Sequence, residues 1–225
     1  MTITTLVFDA YGTLFDVTGA ARLAAATPEG AILGDRWPLL AAEWRRKQLE
    51  YTWQRAISGA HAAFDVVTAE ALDWALEAMS LSAPALRTRL LALYDELPAF
   101  PEVLDVLTNL HGTGYRLAIL SNGSPRMLAS LTAAAGLQAL IHDLLSVESV
   151  RVYKPDFRVY AMVEPALGVK PRQVLFISAN GWDIAGATRF GFNTAWVNRT
   201  GQPMDRLPQG PKHILRDLTG VPQCL

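Results

Sequence analysis

Residues 4–16 read TTLVFDAYGTLFD, and this stretch decides the fold. Thr4 to Phe8 is short, apolar and rich in strand-forming residues. It stops at an acid, Asp9, and the Tyr11-Gly12-Thr13 that follows has turn chemistry. A buried strand carrying a carboxylate at its carboxyl end is predicted. Later segments repeat the form. Leu117 to Leu120 runs into Ser121-Asn122-Gly123-Ser124-Pro125, Val174 to Ile177 into Ser178-Ala179-Asn180-Gly181, and Thr194 to Val197 into Asn198-Arg199; Leu144 to Val147 is a weaker case.

Helix-like stretches lie between these strands, at Val103 to Leu110, Arg126 to Ala135, Phe157 to Leu167 and Asp183 to Phe190. Strands alternating with helices imply a parallel sheet covered on both faces and built with right-handed crossovers. In such sheets ligands sit outside the carboxyl ends of the strands. Asp9, Ser121, Asn122, Ser178, Asn180 and nearby Asp183 are all expected at that edge.

Residues 17–98 read differently, being alanine- and leucine-rich and poor in strand signals. Arg36 to Ile57 has the pattern of one long helix, with Trp37, Leu40, Trp44, Leu49 and Trp53 among its apolar positions. Thr68 to Met79 and Ser82 to Leu97 read as two more, with Thr68 and Ser82 as N-caps. A helical block inserted after the first strand is expected to cap the site, and Leu97-Pro98-Ala99-Phe100-Pro101 is the expected return hinge. The fold class is therefore α/β: a Rossmann-like parallel-sheet core formed by residues 1–16 and 99–225, with an inserted all-helical cap over residues 17–98.

The 225 residues carry a net charge of −1, with 51% hydrophobic and 18% charged residues. That balance supplies a core and offers no basic excess for nucleic acid or anionic lipid. The single cysteine, Cys224, cannot form an internal disulfide, which fits a cytoplasmic protein. The N-terminus lacks the basic leader and cleavage site of a signal peptide, and no stretch is apolar for long enough to span a membrane. His61, His111, His142 and His213 have no metal-ligand spacing, so no metal and no cofactor are expected. A serine-nucleophile elbow, a P-loop and a dinucleotide fingerprint are all missing from the sequence.

Two further groups give the acid at position 9 a context. Lys154 lies in Tyr153-Lys154-Pro155-Asp156, before a helix, and Asp183 follows the Val174 strand. Acid, hydroxyl, lysine and acid, each placed after a successive strand, can converge on one point.

With these residues in place the chain resembles the haloacid dehalogenase superfamily, and within it the L-2-haloacid dehalogenases. The matching stretches are Phe8 to Val17 (FDAYGTLFDV), Trp44 to Trp53 (WRRKQLEYTW), Leu117 to Pro125 (LAILSNGSP), Val152 to Asp156 (VYKPD), Arg158-Val159-Tyr160, Phe176 to Asp183 (FISANGWD) and Asn198-Arg199-Thr200-Gly201. They span nearly the whole chain, cap included. Departures from the magnesium-dependent phosphatases of the superfamily are equally informative. Where those proteins carry a second aspartate, a general acid, in the first motif, this chain has Tyr11; where they carry a metal-holding aspartate in the last motif, it has Ala179. Phosphoryl transfer needs charge neutralisation of that kind, and displacement of halide from carbon does not.

The resemblance implies hydrolysis of small L-2-haloacids to D-2-hydroxyacids and halide, through an ester on Asp9 and without a metal. Lys154 then lowers the pKa of the attacking carboxylate, and Thr13 and Tyr160 support Asp9 and Lys154 by hydrogen bonds. Arg45 receives the departing halide, with Asn122 as a second donor. Ser121 and backbone amides near Ala10 and Asn122 hold the substrate carboxylate. Ser178, Asn180 and Asp183 place the hydrolytic water, with Asp183 as the base. Tyr11, Leu49, Phe64 and Trp182 wall the alkyl group. A homodimer is implied as well. The competing readings are a magnesium-dependent small-molecule phosphatase, opposed by Tyr11 and Ala179, and a non-catalytic binding protein, opposed by the complete set of acids, lysine and water-placing groups.

Overall fold

The computed structural model describes residues 2–81 and 83–225. A six-stranded parallel sheet runs in the order β3-β2-β1-β4-β5-β6. Its strands are β1 (Thr5–Phe8), β2 (Arg116–Ser121), β3 (Asp143–Ser146), β4 (Val174–Ser178), β5 (Asn193–Val197) and β6 (His213–Leu215). β1 is flanked on both sides, Phe8 lying opposite Ile119 of β2 and Ile177 of β4. A strand paired on two sides and covered on two faces must be apolar throughout, and every residue of β1 is buried. The strand order reverses at β1 and β4, so a crevice opens between their carboxyl ends. Asp9 and Ser178 leave the sheet there.

The helices of the core are α5 (Val103–Gly112), α6 (Pro125–Ala134), α7 (Phe157–Tyr160), α8 (Val163–Leu167) and α9 (Gly181–Phe190). Earlier in the chain come α1 (Gly19–Ala25), a 3-10 segment (Pro28–Arg36), α2 (Trp37–Ser58), α3 (Phe64–Ala78) and α4 (Pro84–Tyr94). Two antiparallel stretches carry the chain into and out of this helical block. The Asp16 amide donates to the Pro98 carbonyl at 2.9 Å, and the Phe100 amide to the Leu14 carbonyl at 2.9 Å.

The expected strands and the α/β class with a helical cap are observed. Several local expectations are corrected. Thr68 is not an N-cap; it lies inside α3, buried, with its hydroxyl donated to the Phe64 carbonyl at 2.6 Å. α3 begins at Phe64 because the core caps it: the Glu148 carboxylate accepts the Phe64 amide at 3.1 Å. Ser82 lies outside the described residues. The single helix expected over Phe157 to Leu167 is broken into α7 and α8. Pro165 has no amide to return to the carbonyl of Ala161, so a continuous helix cannot pass. Sequence reading did not find α1, the 3-10 segment or β6. β6 is a three-residue edge strand, too short for alternation to register.

Core packing supports the site directly. The Phe176 ring on β4 is fully buried, stacks on Phe192 at 6.0 Å and meets the edge of Tyr160 at 6.0 Å, and the Lys154 Nζ lies 4.9 Å from its centre. Phe176→Ala is expected to cost about 3–5 kcal/mol, read by chemical denaturation, with Phe176→Leu costing less than half of that. Equal losses for the two variants would remove cavity formation as the cause.

Candidate active site

Gly12, with φ at +86°, turns the chain directly after Tyr11. That conformation favours glycine, and it lets Thr13 fold back toward Asp9. Thr13 Oγ1 donates to Asp9 Oδ2 at 3.0 Å and accepts the Ala179 amide at 2.8 Å, tying the β1 turn to the β4 turn. From the β4 side, Asn180 Nδ2 donates to Asp9 Oδ2 at 2.9 Å, and Ser178 Oγ reaches the same oxygen at 3.5 Å. The other oxygen, Oδ1, faces Lys154 Nζ at 3.0 Å. The same ammonium donates to Asp183 Oδ2 at 2.8 Å. Lys154 thus bridges two carboxylates, and all three side chains are nearly or fully buried.

Burial alone would push the Lys154 ammonium down; Asp183 and then Asp9 overcome it and hold the group above its ordinary value. Lys154 is therefore charged. Burial pushes the Asp183 carboxyl up to about 6, against the opposing pull of Lys154. Tyr160 donates to Asp183 Oδ1 at 2.8 Å, and burial followed by the Asp183 charge holds its phenol well above the usual range. Tyr160 therefore supports Asp183 and not Lys154, correcting the expectation from sequence. Ser178 Oγ also contacts Asp183 Oδ2 at 3.2 Å, so it stands between the two carboxylates.

Above this cluster Arg45 descends from α2. Its Nη1 donates to Gln48 Oε1 at 2.8 Å, and its Nη2 lies 3.4 Å from Asn180 Oδ1 and 3.5 Å from the Tyr11 carbonyl. A guanidinium has more N–H groups than these contacts use, so donors remain for an anion. Asn122 accepts the Lys154 amide through Oδ1 at 3.1 Å, which leaves its NH2 group for a ligand. The backbone amides of Ala10 and Asn122 donate to no acceptor among the described residues. Ser121 Oγ accepts the Gly123 amide at 3.1 Å and keeps its proton to give.

Of the expected apolar wall, Tyr11 and Phe64 meet, with ring centres 5.2 Å apart. Burial pushes the Tyr11 phenol well above its usual value, so it stays neutral. Gly123 admits this ring: a Cβ there would come within 2.9 Å of it. Leu49 is half-buried on α2, and Trp182 sits edge-on to Trp53 at 5.5 Å, on the seam between cap and core. Residues not anticipated are Gln48 and Tyr94 in the cap, and Glu148, which holds His61 at 2.9 Å as well as the start of α3. One signal for Gln48 was available. It lies on the inward stripe Leu40, Trp44, Gln48, Thr52, at intervals of four.

No described cluster of three or more His, Cys, Asp or Glu residues could hold a metal. The donor set does not fit the magnesium of the superfamily's phosphatases. Ala179 offers no carboxylate, and Asp9 and Asp183 are both bonded to the Lys154 ammonium. Removing one member of such a buried set strands the others. Lys154→Met should destabilise the protein by about 3–5 kcal/mol at neutral pH, measured by denaturant unfolding. Adding Asp183→Asn should return part of that loss, because the two changes act on one network. Strict additivity of the two would contradict the charge bridge.

The haloacid dehalogenase-like hydrolase family matches residues 3–191. The chain is 41% identical over 220 residues to (S)-2-haloacid dehalogenase 1 of Pseudomonas sp. (strain CBS-3), covering 97% of this chain and 95% of that one. It is 42% identical over 218 residues to an (S)-2-haloacid dehalogenase of Pseudomonas sp. (strain YL), covering 96% and 91%. Its structure superimposes with a TM-score of 0.89, at 36% identity and over 99% and 98% of the two chains, on the L-2-haloacid dehalogenase of Xanthobacter autotrophicus with chloropropionic acid covalently bound. These matches run through core and cap alike, and the chain belongs to the haloacid dehalogenase family of the haloacid dehalogenase superfamily.

Proposed function

We propose that this protein hydrolyses small L-2-haloacids to D-2-hydroxyacids and halide, with Asp9 as covalent nucleophile and without a metal. The observation that carries the reading is the unequal treatment of the two Asp9 oxygens. Oδ2 accepts from two side chains, Thr13 and Asn180, with the Ser178 hydroxyl farther off and nearer Asp183, whereas among the described residues Oδ1 faces only Lys154. An attacking oxygen needs a free lone pair, so Oδ1 is the nucleophile. Its lone pair forms the bond to C2 as the carbon–halogen electrons leave with the halide. Arg45 and Asn122 supply donors where that charge grows. Ser121 and the amides of Ala10 and Asn122 hold the substrate carboxylate, which fixes the face of attack.

The ester keeps Oδ2 as its carbonyl oxygen. Water attacks the Asp9 Cγ, and the negative charge that develops on Oδ2 meets the donors already gathered there. Asp183 takes one proton of that water, the Cγ–Oδ1 bond breaks, the departing alkoxide takes that proton from Asp183 to become the product hydroxyl, and the second water proton leaves the restored carboxyl for solvent. Asp9 is restored with one oxygen from water. Relatives named as (S)-2-haloacid dehalogenases, and the covalently bound chloropropionic acid in the Xanthobacter autotrophicus structure, support this reading. The same reading takes the protein as a cytoplasmic homodimer acting on no nucleic acid; no described helix is long and apolar enough to cross a membrane.

The test is a single turnover of L-2-chloropropionate in oxygen-18 water, with enzyme and chelator in excess. Halide release, unlabelled D-lactate and labelled Asp9 are expected. Labelled product with unlabelled Asp9 would demote Asp9 to a general base, and magnesium-dependent phosphate release without halide release would favour the phosphatase. Asp183 accepts a proton only when ionised. The rate of ester hydrolysis, followed in the second phase of the single turnover, should therefore rise with pH through an acid limb centred near pH 6. A profile flat down to pH 5 would exclude Asp183 as the base.

A further inference from the structure

We propose that Gln48 is a positioning residue for Arg45, oriented in turn by Thr68, and that this relay governs how well the site receives the departing halide. The inference rests on the reading of Arg45 as the halide donor. Gln48 occupies a fully buried position on the inward stripe of α2, where leucine would fill the space and avoid the cost of an amide. Burying an amide is tolerated when its bonds are made, and here they are. Gln48 Nε2 donates to Thr68 Oγ1 at 2.7 Å, while Oε1 accepts from Arg45 Nη1 at 2.8 Å and from the Tyr94 hydroxyl at 3.1 Å.

The direction of the amide is fixed by its neighbour. The Thr68 hydroxyl gives its proton to the Phe64 carbonyl at 2.6 Å, so its oxygen is left to accept. Only the NH2 end of Gln48 can supply that bond, and the carbonyl end must therefore face Arg45. Thr68 is itself anchored, since its carbonyl accepts the Trp44 indole at 2.8 Å. The other contacts of Arg45, at 3.4 and 3.5 Å, are looser than the one to Gln48. An arginine side chain has much rotamer freedom to lose. Gln48 removes that freedom before substrate arrives, so the donor is already aimed when halide charge appears.

The test compares chloro-, bromo- and iodopropionate in single turnovers of wild type, Gln48→Met, Thr68→Val and Arg45→Ala. Misplacing a donor costs most where the leaving charge is most localised. Gln48→Met, which keeps length and loses the acceptor, should slow carbon–halogen cleavage by about thirtyfold for chloride, with a smaller loss for bromide and the smallest for iodide. KM should stay within about threefold, since ground-state binding is little changed. Thr68→Val, which leaves Gln48 in place but unoriented, should show the same gradient in weaker form. It carries the test if Gln48→Met fails to fold. Losses equal across the three halides, or no loss in either variant, would overturn the proposal while a graded loss in Arg45→Ala left the halide role standing. An equal loss in Arg45→Ala, or a wild type that released none of the three halides, would remove the underlying reading and this inference with it.

Discussion

Lys154 between Asp9 and Asp183 is the constraint on which the rest of the structure depends. Its ammonium is fully buried, 3.0 and 2.8 Å from the two carboxylates. Charges taken out of water repay their desolvation only with good geometry and satisfied hydrogen bonds. Each member comes from a different part of the chain: Asp9 from the end of β1, Lys154 from the loop before α7, Asp183 from the first turn of α9. Only the adjacency of β1 and β4 brings the two acids within reach of one lysine. The surrounding donors, Thr13, Ser178, Asn180 and Tyr160, meet the remaining carboxylate lone pairs. The cluster is a source of reactivity far more than of stability, because its charges could be exchanged for a packed apolar set with little loss of folding free energy.

The cap answers to the same constraint. Displacement of halide by a carboxylate, as proposed for Asp9, is favoured where water does not screen the charges, and Asp9 is 5% exposed. Polar clasps hold cap and core in that closed arrangement. Glu148 binds His61 and the amide of Phe64, and the Tyr153 hydroxyl donates to the Ala62 carbonyl at 2.6 Å. Arg199 ties the turn after Asp9 to the return segment. It donates to the Thr13 carbonyl at 2.9 Å, pairs with Glu102 at 2.6 Å and lies over the Phe100 ring. The Asn198-Arg199-Thr200-Gly201 stretch thus acts, through Arg199, at the junction through which both cap connections pass.

What the sequence made legible follows from what kind of pattern each feature leaves. Central strands such as Leu117 to Leu120 and Val174 to Ile177 are buried on both faces, and an unbroken apolar run records that burial. Asp9, Lys154 and Asp183 were legible because topology sends strand ends to one edge. Features made by distant partners left no local trace. α3 starts at Phe64 because Glu148 reaches it from the core, and the nearest local residue with cap chemistry, Thr68, lies a turn too late. Tyr160 binds Asp183 and not Lys154, a choice between neighbours that spacing cannot make. Gln48 left a trace that was readable but unread: a polar residue at the fourth position of an apolar helical stripe.

The two replacements that separate this site from its phosphatase relatives follow from charge balance. Lys154 and Arg45 bring two cations, and Asp9 and Asp183 two carboxylates, one of them with its carboxyl raised to about 6. The anionic substrate of the proposed reaction would add one more negative charge, and the Ser121 hydroxyl and the backbone amides of Ala10 and Asn122 are the neutral donors left to meet it. A further aspartate at position 11 would stand among Phe64, Tyr94 and Gly123, where the neutral Tyr11 now packs. One at position 179 would stand beside the amide that Thr13 now accepts. At position 11 the nearest cation would be Arg45, whose Nη2 lies 3.5 Å from the Tyr11 carbonyl, and a third carboxylate at either place would add like-charge repulsion to a cluster in which Lys154 already serves two. A bound divalent ion removes that conflict in a phosphatase. Here the lysine is the resident cation, and Tyr11 and Ala179 are the residues that keep it sufficient.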